Sequence, residues 1–394
     1  MKKTIKDYNL KGKKVIIRCD FNVPIKNGEI QDDTRIKASL KTIEYAISKG
    51  AKLILLSHLG KIKTASDLRA NNLYPISIRL SELLNKKVLF SDKTRGHELE
   101  ELVANLNGGD ILLIQNTRYE DLDGKKESNC DITLAKYWAS LGDIFINDAY
   151  GTCHRKHASN VGISKFLPNG LGFLVEEEVK KLDEILEENT HPFIVMMGGA
   201  KVSDKIKVID NLINKCDKLI ISGAMAYTFL KAQGYNVGSS LVDEESNEYC
   251  QNLLQKYPTK IILPIDSLVA PSIDSNNIEA RDIDDFRQED IGFDIGKKTI
   301  ELFCHHLKNS ARVIINGPMG LYENINYQEG TKAIYDYITT NNIKCLIGGG
   351  DSAASVAKLS DSKKFYHIST GGGATLEYLE GVSLPGISAI NEKE

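Results

Sequence analysis

Short apolar runs rich in β-branched residues recur along the whole chain, and segments long enough for helices separate them. Such runs are typical of strands that are buried on both faces of a parallel sheet. The intervening segments are amphipathic, as the helical spacing of Ile36, Leu40 and Ile43 shows. The alternation predicts an α/β fold with two doubly wound domains, each with a mostly parallel sheet of about six strands. The predicted strands cover residues 15–17, 53–56, 88–90, 111–114, 144–146 and 161–163, then 193–196, 219–221, 261–263, 313–315, 346–347 and 365–368.

The length of the chain, 394 residues, also favours two domains over one core. We place the first domain at residues 1–172 and the second at 189–388. Between them, residues 173–188 consist of strong helix formers with a charged face, which predicts an interdomain helix rather than a flexible linker.

Composition predicts a soluble, cytoplasmic protein. Hydrophobic residues make up 42% of the chain and charged residues 26%, which is ordinary for a globular protein. The formal charge of −3 gives no reason to expect a nucleic-acid or membrane partner. Seven scattered cysteines without a C-x-x-C pair fit a reducing compartment, and we interpret Cys304-His305-His306 as a solvated helix face rather than a metal site.

Two glycine runs near the C-terminus, at 348–352 and 369–374, each follow an apolar stretch and precede a helical pattern. A strand, a glycine turn and a helix start offer backbone N–H groups to a phosphate. A P-loop motif is absent, and the dinucleotide pattern at Gly348, Gly350 and Ala353 lacks the acidic residue expected at the end of the next strand. Asp351 is interpreted either as a ligand of Mg²⁺ or as the N-cap of the following helix.

Polar side chains follow several predicted strands in the first half of the chain, where open α/β sheets bind ligands. Arginines, a histidine and a lysine on neighbouring loops would form a basic pocket for a small anion with several charges. His154 and His157 are interpreted as structural. The residues assigned to the pocket are Asp20, Asn22, Arg35, His58, Lys61, Arg118 and Arg155.

In the second half, Lys201 and Lys205 follow a strand and a glycine pair, within the segment GGAKVSDK. Their spacing predicts that both lie on one helical face, where they would neutralise phosphates. Two solvated lysines on a helix are the alternative, and the position at the strand end favours the phosphate site.

Seven sequence blocks span essentially the whole chain. They are RCDFNVP (18–24), SHLG (57–60), NDAYGT (147–152), GGAKVSDK (198–205), NGPMG (316–320), GGGDS (348–352) and STGGGA (369–374). In their order and spacing, these blocks resemble those of the phosphoglycerate kinase family.

The resemblance implies reversible, Mg²⁺-dependent phosphoryl transfer from 1,3-bisphosphoglycerate to ADP, which yields 3-phosphoglycerate and ATP after hinge closure. It implies a monomer whose first domain binds the triose, whose second binds nucleotide, and whose tail, residues 389–394, packs back on the first domain. For the triose it implies Asp20, Phe21, Asn22, Arg35, His58, Leu59, Gly60, Lys61, Arg118 and Arg155. For the nucleotide it implies Lys201, Lys205, Gly292, Asn316, Glu323, Gly349, Gly350, Asp351 and Ser352, with Asp351 as the metal ligand. For the transferred group it implies Arg35, Lys201, Gly372 and Gly373.

The chain departs from the family pattern at a few positions. Lys61-Ile62 stands where Arg-Pro is usual, which replaces a bidentate fork with a point charge and predicts weaker triose binding there. Gln115, Ile315 and Ser222-Gly223-Ala224 also differ, and these changes bear on affinity rather than activity. Two other hypotheses are a dinucleotide-dependent oxidoreductase, which the missing ribose acid disfavours, and an inactive binding protein or scaffold, which the intact motif residues disfavour and turnover would test.

Overall fold

The computed structural model describes residues 1–393, and the chain divides into two compact units. Unit 1 is Met1–Lys180 together with the described residues from Ser383 onward, and unit 2 is Lys181–Val382. The division falls inside one continuous helix, Phe173–Glu187, and not at the ends of the predicted interdomain helix at residues 173–188.

Unit 1 is an α/β unit whose main sheet has six parallel strands. The strands are β1 (Lys14–Arg18), β2 (Ile25–Lys26), β3 (Glu29–Ile30), β4 (Lys52–Leu56), β5 (Val88–Ser91), β6 (Ile111–Ile114), β7 (Ile144–Asn147) and β8 (Asn169–Leu171). The helices are α1 (Thr34–Ser48), α2 (Ala65–Ala70), α3 (Tyr74–Leu84), α4 (His97–Ala104), α5 (Ile132–Ser140) and the first part of α6 (Phe173–Glu187). The sheet order is β5-β6-β4-β1-β7-β8, and β2 and β3 form a separate hairpin.

The central strands are apolar on both faces because both faces are covered. In β1, Val15 and Ile17 belong to one core cluster, and Ile16 between them is equally buried. The helix α1 buries a stripe that includes Ile36 and Ile43. Arg35 in its first turn contacts Asp20, which follows β1.

Unit 2 has a second six-stranded parallel sheet and a smaller antiparallel one. Its strands are β9 (Phe193–Met197), β10 (Lys218–Ile221), β11 (Ile261–Ile262), β12 (Asp266–Ala270), β13 (Glu279–Asp282), β14 (Ile291–Ile295), β15 (Arg312–Asn316), β16 (Cys345–Gly348) and β17 (His367–Ile368). Its helices are the rest of α6, then α7 (Ile206–Leu212), α8 (Met225–Ala232), α9 (Asn247–Lys256), α10 (Lys297–Leu307), α11 (Glu329–Thr340), α12 (Gly350–Leu359) and α13 (Gly373–Leu379), while α14 (Pro385–Ser388) belongs to unit 1. The sheet orders are β11-β10-β9-β15-β16-β17 and β13-β12-β14.

The predicted α/β class with two parallel six-stranded sheets is confirmed, and one predicted strand is wrong. Residues 161–163 lie in a helical segment that includes the π-helix Ala158–Gly162. The side chain of Asn160 accepts a hydrogen bond from the His157 N–H at 2.9 Å and donates to two backbone carbonyls, which holds the chain in a turn. The sixth strand of this sheet is β8 instead.

None of the helices in residues 1–393 is both long enough and apolar enough to cross a bilayer.

Candidate active site

The polar loops of unit 1 meet because their strands are neighbours. The loops follow β6, β4, β1 and β7, which are consecutive in the sheet order, and parallel strands end at the same edge. Phe21, one of the residues implied by the resemblance, has its side chain in the core, and only its backbone lies at this edge, where its N–H donates to Ser57 Oγ at 2.9 Å.

Arg35 reaches this edge from the first turn of α1. Its Nη1 lies 3.2 Å from Asp20 Oδ2 and 3.3 Å from the backbone carbonyl of Asn22. The Asn22 side chain accepts a hydrogen bond from the Gly60 N–H at 2.8 Å. The Arg35 side chain is 40% exposed, so the guanidinium is held at one end and open to a ligand.

Arg118 and Arg155 add positive charge on the neighbouring loops. Arg118 donates to the carbonyl of Gly60, while its Nε is buried without a partner. Burial, and then the charges of Arg18 and Arg155, lower the pKa of Arg118, which indicates crowded cations. The Arg155 Nε lies 3.2 Å from His154 Nε2 on the surface.

Leu59 and Lys61 differ in their exposure. Leu59 is buried, and its N–H and carbonyl both pair with the side chain of Asn116, at 3.1 and 2.7 Å. Lys61 is exposed, and Ile62 beside it is buried.

Gln115, at a position where the family often has glutamate, accepts hydrogen bonds from the N–H groups of Leu73 and Asn116 without bringing a charge into the core.

His58 is buried, and its Nδ1 lies 3.2 Å from Arg18 Nη2. Burial, and then the charge of Arg18, lower the pKa of His58 well below its usual value, so the ring is neutral at neutral pH. Arg18 has a buried carboxylate neighbour, Glu127, which sequence reasoning missed because the residue lies in a polar loop of no distinctive pattern.

In unit 2, a cavity of about 430 Å³ lies at the ends of β9, β15 and β16. A Cβ on Gly317 would approach the carbonyl oxygen of Gly198 to 2.2 Å, so these loops pack backbone against backbone. The lining residues are Gly198, Gly199, Ala200, Lys201, Asp204, Lys205, Asn316, Gly317, Gly349, Gly350, Asp351, Ser352 and Leu376. We call this space the phosphate cavity.

The two lysines enter this cavity differently from the prediction. Residues 201–205 form a bend and a turn, and α7 begins only at Ile206, so the lysines do not share a regular helical face. Lys205 donates to the side-chain oxygen of Asn316, and burial lowers the pKa of Lys205. Lys201 is exposed.

The first glycine run forms the predicted strand, turn and helix start. Gly349 has a φ of 98°, which favours glycine, and is itself the N-cap of α12. A Cβ on Gly350 would meet nothing within 4 Å, so the backbone there is accessible. The alternative interpretation of Asp351 as the N-cap is therefore wrong: it lies in the first turn, one residue inside the helix.

A second cavity, of about 360 Å³, adjoins the first and shares Gly199, Ala200 and Asp351 with it. Most of its wall is apolar, and it also includes Gly292 and Glu323. A Cβ on Gly292 would lie 1.9 Å from Tyr227 Oη, so only glycine leaves that tyrosine in place. We call this space the base cavity.

The second glycine run lies beside the phosphate cavity. Gly372 precedes α13 with a φ of 50°, and a Cβ there would meet nothing within 4 Å. In the described chain, Gly372 and Gly373 are not among the lining residues of either cavity, whereas Leu376 of the same helix is. The structure therefore brings seven of the predicted nucleotide residues to the phosphate cavity and leaves these two glycines at its margin.

The donors present fit a magnesium ion held partly by substrate. Within residues 1–393 there is no group of three His, Cys, Asp or Glu side chains arranged for a metal. Mg²⁺ commonly binds through one or two carboxylates together with substrate phosphates and water. Asp351, exposed where the two cavities meet, supplies such a carboxylate.

Comparison with known proteins gives the same family over the whole length. Residues 5–382 match the family model described as phosphoglycerate kinase. The chain is 51% identical to the phosphoglycerate kinase of Enterococcus faecalis and 50% identical to that of Staphylococcus aureus, with all of each chain covered. Its fold matches the solved structure of phosphoglycerate kinase from Coxiella burnetii at a TM-score of 0.90 and 34% identity, covering 99% of this chain and 98% of that one. For the Pyrococcus horikoshii enzyme the TM-score is 0.83 at 30% identity, with 98% of both chains covered. The chain therefore belongs to the phosphoglycerate kinase family, and it is a phosphotransferase of glycolysis.

Proposed function

We propose that the enzyme catalyses reversible, Mg²⁺-dependent transfer of the acyl phosphoryl group of 1,3-bisphosphoglycerate to ADP, giving 3-phosphoglycerate and ATP. The observation that carries the proposal is the junction of the two cavities of unit 2 at Asp351. An apolar cavity suits a base, and a neighbouring one with glycine backbone and two lysines suits its phosphates. We assign the ribose to Glu323, which lines the base cavity, and the phosphates to Asn316, Gly349, Gly350 and Ser352, which line the phosphate cavity.

The basic edge of unit 1 supports binding of the triose. Asp20 and Asn22 offer acceptors for its hydroxyl group. The positive charges of Arg35, Arg118 and Arg155 make the edge attractive to a phosphate and a carboxylate. We assign the 3-phosphate to Arg118 and Arg155 together with His58. Backbone groups of Phe21, Leu59 and Gly60, and the exposed Lys61, complete the set.

Transfer of the phosphoryl group needs no protein nucleophile. Its transition state is loose, with negative charge spread over the equatorial oxygens, so positioning and preorganised positive charge supply most of the catalysis. We assign that role to Arg35, Lys201 and the backbone N–H groups of Gly372 and Gly373. Bound Mg²⁺ would neutralise charge on the phosphates, and Asp351 is the residue that would hold it.

Because the two substrates are assigned to different units, in-line transfer requires a closed state that brings them together and excludes water. Water would otherwise hydrolyse the acyl phosphate. We place the hinge in α6, since the division between the units falls inside that helix. We also infer a cytoplasmic location, which the seven unpaired cysteines support.

A coupled assay tests the proposed function. The purified protein is supplied with 3-phosphoglycerate and MgATP, and a glyceraldehyde-3-phosphate dehydrogenase reports the product through consumption of NADH. We expect consumption that needs the protein, both substrates and magnesium, and that stops when a chelator removes the metal. Folded protein that binds MgADP without turnover would contradict the proposal and indicate an inactive binding protein.

A further inference from the structure

A chain of buried side chains lies behind His58. Arg18, Glu127 and Ser159 are all fully buried in unit 1. Arg18 Nε lies 2.8 Å from Ser159 Oγ, and Ser159 Oγ is in turn hydrogen-bonded to Glu127 Oε1. The Ser159 N–H donates to the other Glu127 oxygen at 2.9 Å. The Glu127 carboxylate lies 4.0 Å from Arg18 Nη2 and supplies the negative charge that a buried guanidinium requires.

The direction of each hydrogen bond in this chain follows from its members. Arginine has donors and no acceptor. Ser159 Oγ must therefore accept from Arg18 Nε, and the one hydroxyl proton goes to Glu127. Arg18 Nη1 donates to the carbonyl of Cys19 at 2.5 Å, which leaves Nη2 directed at His58 Nδ1, 3.2 Å away. Only an unprotonated Nδ1 can accept that bond.

An imidazole whose Nδ1 accepts carries its single proton on Nε2. In residues 1–393, Nε2 of His58 makes no hydrogen bond, so this proton is available to a ligand. The charged groups around the ring also disfavour a second proton. They are Arg18 on β1, Arg35 on α1, Arg118 after β6 and, when protonated, His157. The Glu127 carboxylate contacts Arg18, Ser159 and, at 3.8 Å, His157 Nδ1.

We propose that Glu127 is a positioning residue that acts through Ser159 and Arg18 to fix His58 as the neutral tautomer with its proton on Nε2. The triose then meets a hydrogen-bond donor at this point that does not gain a charge over the pH range in which a free histidine titrates. The role of the tautomer in binding rests on the proposed function, whereas the tautomer itself does not.

The tautomer is measured directly by nitrogen NMR of full-length protein labelled with ¹⁵N-histidine, with His58→Gln used to assign the signal. We expect one ring with a proton on Nε2 and none on Nδ1, unchanged between about pH 6 and 8. A His58 ring with its proton on Nδ1, or with protons on both nitrogens in that range, would overturn the inference whether or not the enzyme turns over.

Glu127→Gln tests the positioning role. We expect the His58 signal to shift to a mixture of tautomers and the KM for 3-phosphoglycerate to rise roughly fivefold or more, with the KM for MgATP changed less than about twofold. Glu120→Gln is the matched control, because Glu120 is also a buried carboxylate with a hydroxyl partner, Thr94, and an arginine partner, Arg95. The control should leave the His58 signal and both KM values as they are.

Two further outcomes keep the inference separate from protein folding and from the proposed function. If Glu127→Gln does not fold, Ser159→Ala interrupts the same chain without removing the buried charge, and it should give the same change in the His58 signal. If either folded variant leaves that signal and the triose KM unchanged, Glu127 has no positioning role. If wild-type protein binds no 3-phosphoglycerate, the proposed function fails, and the NMR result still decides the tautomer.

Discussion

Lys201 and Lys205 illustrate how differently two lysines of one motif are held. Lys205 is tied to the side chain of Asn316, which also donates to the carbonyl of Gly348 at 3.0 Å, so its ammonium is fixed before any ligand arrives. Lys201 is exposed at the mouth of the phosphate cavity. An exposed ammonium of this kind fits the contact with the transferred group that we assign to Lys201.

For Lys201→Ala we expect kcat to fall by roughly a hundredfold or more, while the KM for MgATP rises less than about threefold, because the lost charge acts mainly in the transition state. Steady-state kinetics with both substrates measure this. Lys207→Ala is a nearby control, since Lys207 lies in α7 and does not line the phosphate cavity. A near-normal kcat in Lys201→Ala would contradict the assigned role.

Because Gly349 is the cap of α12, we assign Asp351 in its first turn to the metal. Asp351→Asn removes the negative charge but keeps the size of the side chain. We expect MgADP binding to weaken roughly tenfold or more, and the affinity for metal-free ADP to stay about the same or rise slightly. Calorimetric titration with and without Mg²⁺ measures both values. An equal loss in the two titrations would show that Asp351 does not act through the metal.

At the scale of elements, most strands of the two main sheets could be predicted because they are apolar runs, whereas β8, with the sequence Asn-Gly-Leu, carries no such signal. The antiparallel sheet β12–β14 was not predicted. Its strands carry charged residues such as Asp266 and Arg281, and charged residues are more typical of loops. The turn at residues 201–205 was not predicted either, because the spacing of two lysines does not determine where α7 begins.

The site shows the same division between local and distant information. The glycine turn before α12 is local, so its residues and their order specify it. The hydrogen bonds that link Glu127, Ser159, Arg18 and His58 join residues far apart in sequence. Each of these residues alone stands in an ordinary sequence pattern. Only the folded sheet shows that they meet.

The turn between β16 and α12 gives a prediction at the scale of elements. Gly349→Ala should lower the free energy of unfolding by about 1–2 kcal/mol, because alanine is strained at a φ of 98°. Its Cβ would also lie 3.1 Å from Asn316 Nδ2. Gly350→Ala is the matched control: that residue is helical and open, so the free energy of unfolding should stay the same or rise slightly. Urea unfolding compares the two, and equal losses would argue against a strained turn.

At the scale of the whole molecule, buried groups of opposite sign set how stability depends on pH in unit 1. Burial lowers the pKa of His157 to about 3 and that of His58 well below 6.5. The Glu127 carboxylate, 3.8 Å from His157 Nδ1, opposes this, but burial and the surrounding arginines outweigh it. Burial also raises the pKa of Asp148 to about 7, and one of its oxygens has no partner.

These shifts act in opposite directions. Between their folded pKa and 6.5 the histidines bind more protons when unfolded, so the stability they contribute is present above pH 6.5 and is lost as pH falls. Asp148 binds more protons when folded between pH 3.8 and 7, so its contribution is lost as pH rises. Burial also raises the pKa of the Glu127 carboxyl, which therefore acts in the same direction as Asp148 and against the histidines.

Removing a buried histidine and removing a buried carboxyl should therefore change the pH dependence of the unfolding free energy in opposite directions. His157→Gln should make the slope of unfolding free energy against pH less positive between about pH 4.5 and 6.5, and Asp148→Asn should make it more positive. The one tryptophan of the chain, Trp138, is buried in α5, so its fluorescence reports the unfolding of unit 1. Urea titrations across that range measure the slopes. Parallel lines for wild type and both variants would mean that these buried groups keep their ordinary pKa values in the folded protein.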